Sequence, residues 1–211
     1  MSTPHADIPQ PTSRLVAGPG VFVVLSGPSG VGKDTILQQL FERDPRLHYS
    51  VSYTTRPPRE GEVDGVSYVF VSEQKFWELS MQGELLEWAF IHGHWYGSSM
   101  GRIQGFLDRQ EDVVLKIDVQ GAASIRQRVS GNAVFIFVAP PTFEELERRL
   151  TERRTESTED LSVRLANARN ELAQADQYDA VVINDDIDKA VDAILTIVHA
   201  HRVAPKEASP S

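Results

Sequence analysis

Residues 21–33, VFVVLSGPSGVGK, limit the fold of this chain more than any other stretch. VFVVLS is a short, continuously apolar run, the pattern of a strand buried on both faces. The next seven residues match G-x-x-x-x-G-K, and an amphipathic helical pattern starts at the lysine. A buried strand running through glycines into a helix is the opening unit of an α/β sheet. Its turn aims backbone N–H groups and a helix N-terminus at one point, where an anion is held.

The rest of the chain supplies matching units. DVVLKID, AVFIFVA and DAVVIND read as further buried strands, separated by helical patterns over 33–41, 119–129, 142–153, 162–175 and 187–201. Strand–helix alternation predicts right-handed crossovers and a parallel sheet covered on both faces. APPTFEELERRL opens its helix with a threonine N-cap and a glutamate three residues on, a capping box. Two regions break the rhythm. Residues from about 50 to 101 mix short alternating strands (VSYVFV, ELLEWAF, HWYGS) with turns and one helix, which predicts an inserted α+β subdomain. RRLTERRTESTED is a polar, arginine-rich connection; the plainer reading is a solvated linker, the sharper one a lid over a nucleotide. Residues 1–20 and 203–211, rich in proline and small polar types, are expected to be disordered tails around a domain over 21–202.

With 211 residues and 41% hydrophobic content, the chain can build one such domain. It has no cysteine, which removes disulfides, thiolate zinc sites and a cysteine nucleophile and favours a reducing, cytoplasmic compartment. A net charge of -9 disfavours a nucleic-acid partner, while a few local arginines can still hold a small anion. No apolar run reaches the roughly 18 residues of a membrane span.

In the loop, Gly27, Gly30 and Gly32 permit positive φ, and Pro28, Ser29 and Val31 complete a backbone cradle for ATP phosphates. Lys33 reaches the β- and γ-phosphates, and Thr35 can offer its hydroxyl to the α-phosphate. The residue after the lysine is ordinarily serine or threonine and ligates Mg²⁺; here it is Asp34. Its hard carboxylate oxygen suits magnesium directly or through water. The plainer alternative is that Asp34 pairs with Lys33 or caps the helix.

SVSYTTRPPREGEVDGVSYVF, ELLEWAFIHGHWYGSS, KIDVQGA, FVAPPTFEELERRL, VRLANARNEL and VINDD follow the loop in order. Together they resemble guanylate kinase from about residue 21 to the C-terminal helix. The resemblance implies a P-loop nucleoside monophosphate kinase fold: a parallel core, a GMP-binding insert, and a lid over about 143–165. It implies transfer of the γ-phosphoryl group of ATP, as MgATP, to GMP or dGMP, with no nucleic-acid or membrane partner.

The residues make chemical sense at those positions. Arg56 and Arg59 can fork onto one phosphate dianion, and Pro57 and Pro58 stiffen the chain between them. Tyr68 and Tyr96 can donate phenolic O–H groups to the same anion. Glu87 is a charge within an apolar strand; its carboxylate can accept from guanine N1–H and the exocyclic amine, and an arginine partner is the structural alternative. Ser52 and Ser98 match further base contacts in the family. Asp118, at a strand C-terminus, can hold a magnesium shell or a base amino group, or cap the following helix; the resemblance favours a GMP contact. The resemblance assigns Arg149, Arg153 and Arg164 to the ATP phosphates on lid closure, and Asn184 to a place by the adenine. Arg148, Arg154 and Arg169 have no such match and read as solvated. An attacking phosphate oxygen is already anionic, so alignment and charge neutralisation by Lys33, Arg56 and the lid arginines suffice.

Competing classes are weaker. A non-catalytic phosphopeptide-binding relative of the fold would lack Lys33 or the lid arginines, and a GTPase would carry an N-K-x-D motif after the loop.

Overall fold

The structure is a computed structural model; it describes residues 11, 14–91, 93–152 and 158–203. Five parallel strands form the core sheet: β1 (Leu15–Ser26), β2 (Leu47–Tyr49), β7 (Asp112–Lys116), β8 (Val129–Ala139) and β9 (Ala180–Ile183), in the order β2-β7-β1-β8-β9. β1 lies at the centre. Val21 through Leu25 are completely buried, which explains a run with no polar alternation. Val21, Val23 and Leu25 pack under α1 (Lys33–Arg43) and α7 (Ile187–Val203). Phe22 and Val24 pack on the other face with α3 (Met100–Asp108) and α4 (Val119–Arg126). Each such side chain contributes roughly 1.5–3 kcal/mol by leaving water.

The insert is a second sheet in the order β4-β3-β6-β5, built from β3 (Tyr53–Thr54), β4 (Val69–Phe70), β5 (Leu85–Ile91) and β6 (His94–Ser99), with α2 (Glu73–Met81) packed on it. Its core is aromatic: Phe76, Trp88 and Trp95 are buried together, and Trp77 lies against Trp88 and Trp95 at 5.3 and 4.8 Å. The three tryptophans thus hold the insert together. On the far side, α5 (Phe143–Glu152) and α6 (Thr158–Leu172) pack through Leu146, Leu150 and Ala168.

Two expectations change, and one element is new. The ordered domain begins earlier than residue 21, because Leu15–Ala17 pair with Val129–Gly131 and bury Leu15 and Ala17. Gly18, Pro19 and Gly20 make this segment look like a tail, and the ladder resumes at Phe22 after a register shift. The helix expected over 119–129 stops at Arg126, since Val129 already belongs to β8. MGRIQGFLD is a helix despite Gly101 and Gly105: Ser99 caps it through the Arg102 N–H, and Ile103 and Leu107 bury its inner face. Among the described residues, no helix is long and apolar enough to cross a membrane.

Candidate active site

The phosphate loop joins β1 to α1, where the sheet's C-terminal edge meets a helix N-terminus. Gly27, Gly30 and Gly32 all take positive φ. Gly32, at φ 97°, is the N-cap of α1, and a Cβ there would lie 2.6 Å from the Asn184 amide nitrogen. That amide donates to Val31 O at 2.8 Å, and Arg149 reaches Asn184 O at 3.1 Å while its Nε bonds Glu145. The loop is therefore braced from behind by α5 and by the segment after β9. The Val31 side chain is wholly buried in the core, which leaves its backbone for the loop. Asn184 thus braces the loop through Val31.

Lys33 Nζ donates to Gly27 O at 2.5 Å and Pro28 O at 2.9 Å. Burial lowers its ammonium to about 8; Glu171 pulls it back up and Lys116 adds to the lowering. Glu171, from α6, borders the cavity near Lys33 and the Ser29 backbone, and Arg164 donates to Ser29 Oγ at 3.2 Å. Two α6 side chains thus engage the loop. Arg153 and Arg154 lie outside the described residues. Arg148 is forked between Glu145 and Glu152 and is half exposed, in keeping with a solvated role. Arg169 is exposed, in keeping with a solvated role, and its guanidinium lies 4.6 Å from the Phe143 ring centroid, tying α6 to α5.

The insert faces the loop across one cavity, lined by Lys33, Asp34 and Thr35 on one side and Arg59, Glu87 and Tyr96 on the other. Ser52, Tyr68, Ser98 and Asp118 line it too. Arg56 is 8% exposed, with Nε toward Tyr96 Oη at 3.3 Å and its terminal nitrogens on Pro57 O and Glu62 Oε1, both at 2.7 Å. Glu62 also accepts from the Arg59 N–H at 2.7 Å, so one carboxylate sets the shape of the two-arginine turn. The Tyr68 and Tyr96 rings meet edge to face at 5.8 Å.

At the other end, Glu87 is 2% exposed. Antiparallel pairing sets it opposite Ser98, whose hydroxyl donates to Oε1 at 2.5 Å. Burial raises the Glu87 carboxyl to about 8, against the Ser98 hydrogen bond, and nearby Asp118 adds to the rise. Asp118 accepts from Gly121 N at 3.1 Å and Gln120 N at 3.4 Å, so it does cap α4, and it borders the cavity as well. Burial raises its carboxyl despite these bonds. Gly121 leaves room for the carboxylate: a Cβ there would meet Ile117 Cδ1 at 2.4 Å and Glu87 Oε2 at 3.0 Å.

Asp34 pairs with Lys116 Nζ at 2.5 Å across the cavity. The N-cap of α1 is Gly32, and Asp34 lies in the helix's first turn.

Sequence reasoning passed over three side chains here: Glu62, Glu171 and Lys116. Lys116 carries a legible signal, being a charge at the end of an apolar strand, two residues before Asp118 and on the same face. Glu62 and Glu171 sit in polar stretches and have none.

The Guanylate kinase family model matches residues 20–201. A guanylate kinase of Thermotoga maritima is 43% identical over 183 residues, covering 87% of this chain and 88% of its own. One of Sphingopyxis alaskensis is 45% identical over 184 residues, covering 87% of this chain and 84% of its own. The crystal structure of guanylate kinase from Anaplasma phagocytophilum superposes with a TM-score of 0.71 at 35% identity, covering 87% of this chain and 86% of that one. With a phosphate loop and an acidic, serine-lined pocket opening on one cavity, and a family match over residues 20–201, this chain belongs to the guanylate kinase family.

Proposed function

We propose that the chain transfers the γ-phosphoryl group of ATP to the phosphate of GMP or dGMP, with the donor on the phosphate loop and the acceptor in the insert. The observation that carries this reading is the buried Glu87–Ser98 pair opening on the same cavity as Lys33. A carboxylate accepts from guanine N1–H and the exocyclic amine, and Ser52 offers a hydroxyl nearby. Adenine presents an acceptor at N1, so a site built on hydrogen bonds rejects it by about 10⁴ or more.

Arg56, Arg59, Tyr68 and Tyr96 hold the acceptor phosphate and offset the repulsion between two anions. Lys33, Arg149, Arg153 and Arg164 neutralise the donor, and no general base is needed because the attacking oxygen is already anionic. Asp118 supports the base side of the pocket. The zero cysteine count supports a reducing, cytoplasmic location.

The residues fit a magnesium ion brought with ATP. Asp34 offers a hard, 77% exposed carboxylate on the cavity wall beside the loop, and Asp118 borders the same space. When bound, the ion supplies charge neutralisation on the phosphate oxygens.

The test is ADP release with ATP and a panel of GMP, dGMP, AMP, CMP and UMP. GMP and dGMP are expected to turn over and the others to be poor. Equal turnover of AMP and GMP sinks the reading.

A further inference from the structure

The phosphate loop of this chain departs from the usual motif at Asp34, and the structure shows what that carboxylate meets. Its partner Lys116 ends β7, with a side chain 16% exposed. Lys116 also lies close to the Tyr49 side chain and 5.4 Å from the centroid of the Tyr68 ring. The Arg56 guanidinium lies 5.5 Å from that same centroid. Two cations thus share one aromatic ring in the part of the cavity where Arg59 and Tyr96 also border.

We propose that Lys116 is a further phosphate-binding residue of the acceptor site, poised at the junction of the two substrate halves by Asp34 and Tyr49. A mostly buried ammonium needs close anionic partners, and a carboxylate that is itself 77% exposed is a weak, solvent-screened one. A phosphate dianion brings more charge and more acceptor oxygens to the same point. The ammonium's three donors rotate on a flexible stem, so Lys116 can turn from Asp34 to the anion without moving β7. In this arrangement, Asp34 competes with the acceptor phosphate for Lys116. Whatever draws Asp34 toward the donor releases Lys116 to the acceptor.

This inference rests on the reading of the insert as the GMP site, and calorimetric titration of the full chain with GMP, guanosine and ATP separates the two. Arg59→Ala is the control: if it leaves GMP affinity unchanged, the acceptor-site reading itself fails. Lys116→Met is expected to weaken GMP about tenfold or more, with guanosine and ATP affinity within about twofold of wild type. Lys116→Arg, which keeps the charge, restores most of the GMP affinity and guards against loss of folding in the methionine variant. Asp34→Ser, titrated without metal or nucleotide, is expected to tighten GMP severalfold, and this gain should shrink in the Asp34→Ser/Lys116→Met double variant. If Arg59→Ala weakens GMP while Lys116→Met leaves it unchanged or weakens ATP instead, Lys116 serves the loop and the inference is overturned. An Asp34→Ser gain that persists without Lys116 overturns the competition between them.

Discussion

Ser98 donates its hydroxyl to Glu87 at 2.5 Å inside an antiparallel strand pair that leaves each side chain almost wholly buried. Burial raises this carboxyl from 4.5 to about 8, so near neutral pH the ligand-free pocket holds a proton that guanine recognition must displace. GMP binding is therefore expected to release a proton below about pH 8 and to strengthen as pH rises toward that value. Calorimetry in buffers of different ionisation enthalpy reads the proton directly, and an absence of release at pH 7 would contradict this picture. Stability carries the opposite slope. Unfolded, Glu87 loses its proton near 4.5; folded, it keeps it to about 8. Between these values the folded state holds the extra proton, so its stability falls as pH rises. Glu87→Gln should remove that slope from the difference between the two proteins' stability profiles, and should also cost GMP affinity.

Arg59→Ala is expected to weaken GMP by roughly ten- to a hundredfold, the worth of a charge-assisted phosphate contact, with ATP affinity little changed. Glu62→Gln should produce a smaller loss of the same kind, because Glu62 organises both Arg56 and the Arg59 backbone. Binding curves for both ligands check this; a loss confined to ATP would reassign the turn to the donor.

Asp34 is expected to make nucleotide binding more metal-dependent than a serine would. Its carboxylate adds negative charge beside the ATP phosphates, and that charge becomes favourable once a cation lies between them. ATP affinity across a magnesium titration should therefore rise more steeply for wild type than for Asp34→Ser. Wild type binding metal-free ATP as well as or better than the serine variant would mean that Asp34 does not act through the metal.

Arg202 near the C-terminus of α7 bonds both Asp44 and Asp112 at 2.5 Å, and Asp112 accepts from the Val21 N–H at 2.7 Å. Both carboxylates are over nine-tenths buried. Arg202→Ala takes the arginine partner from Asp112 while Asp44 keeps Arg46 and His199, and is expected to cost about 3 kcal/mol in urea unfolding, with GMP and ATP affinity unchanged at 25 °C. Loss of nucleotide affinity without loss of stability would place Arg202 in the site's machinery instead.

The sequence by itself determined the features that depend on neighbours along the chain. A continuous apolar run followed by Gly27, Gly30, Gly32 and Lys33 dictates a buried strand, a turn through positive φ, and a helix whose first turn borders the cavity. The Arg56–Arg59 spacing and the solitary Glu87 within an apolar strand are equally local; Arg59 and Glu87 line the cavity, while Arg56 is held by Glu62 and Tyr96 beside it. Tertiary structure decided what depends on partners distant in sequence. Leu15–Ala17 become strand through pairing with Val129–Gly131, which overrides a segment of glycine and proline. Asn184 is drawn onto Val31, 153 residues away, and Glu171 toward the Ser29 backbone, because the loop's backbone groups must be satisfied by whatever the crossovers bring past them. Asp34 shows the division within one residue. Its identity and its place after Lys33 are plain in the sequence, whereas its partner Lys116 arrives from 82 residues away because β7 is the parallel neighbour of β1. Motif chemistry is written at short spacing; charge pairing across a cavity is set by strand order, which no local pattern encodes.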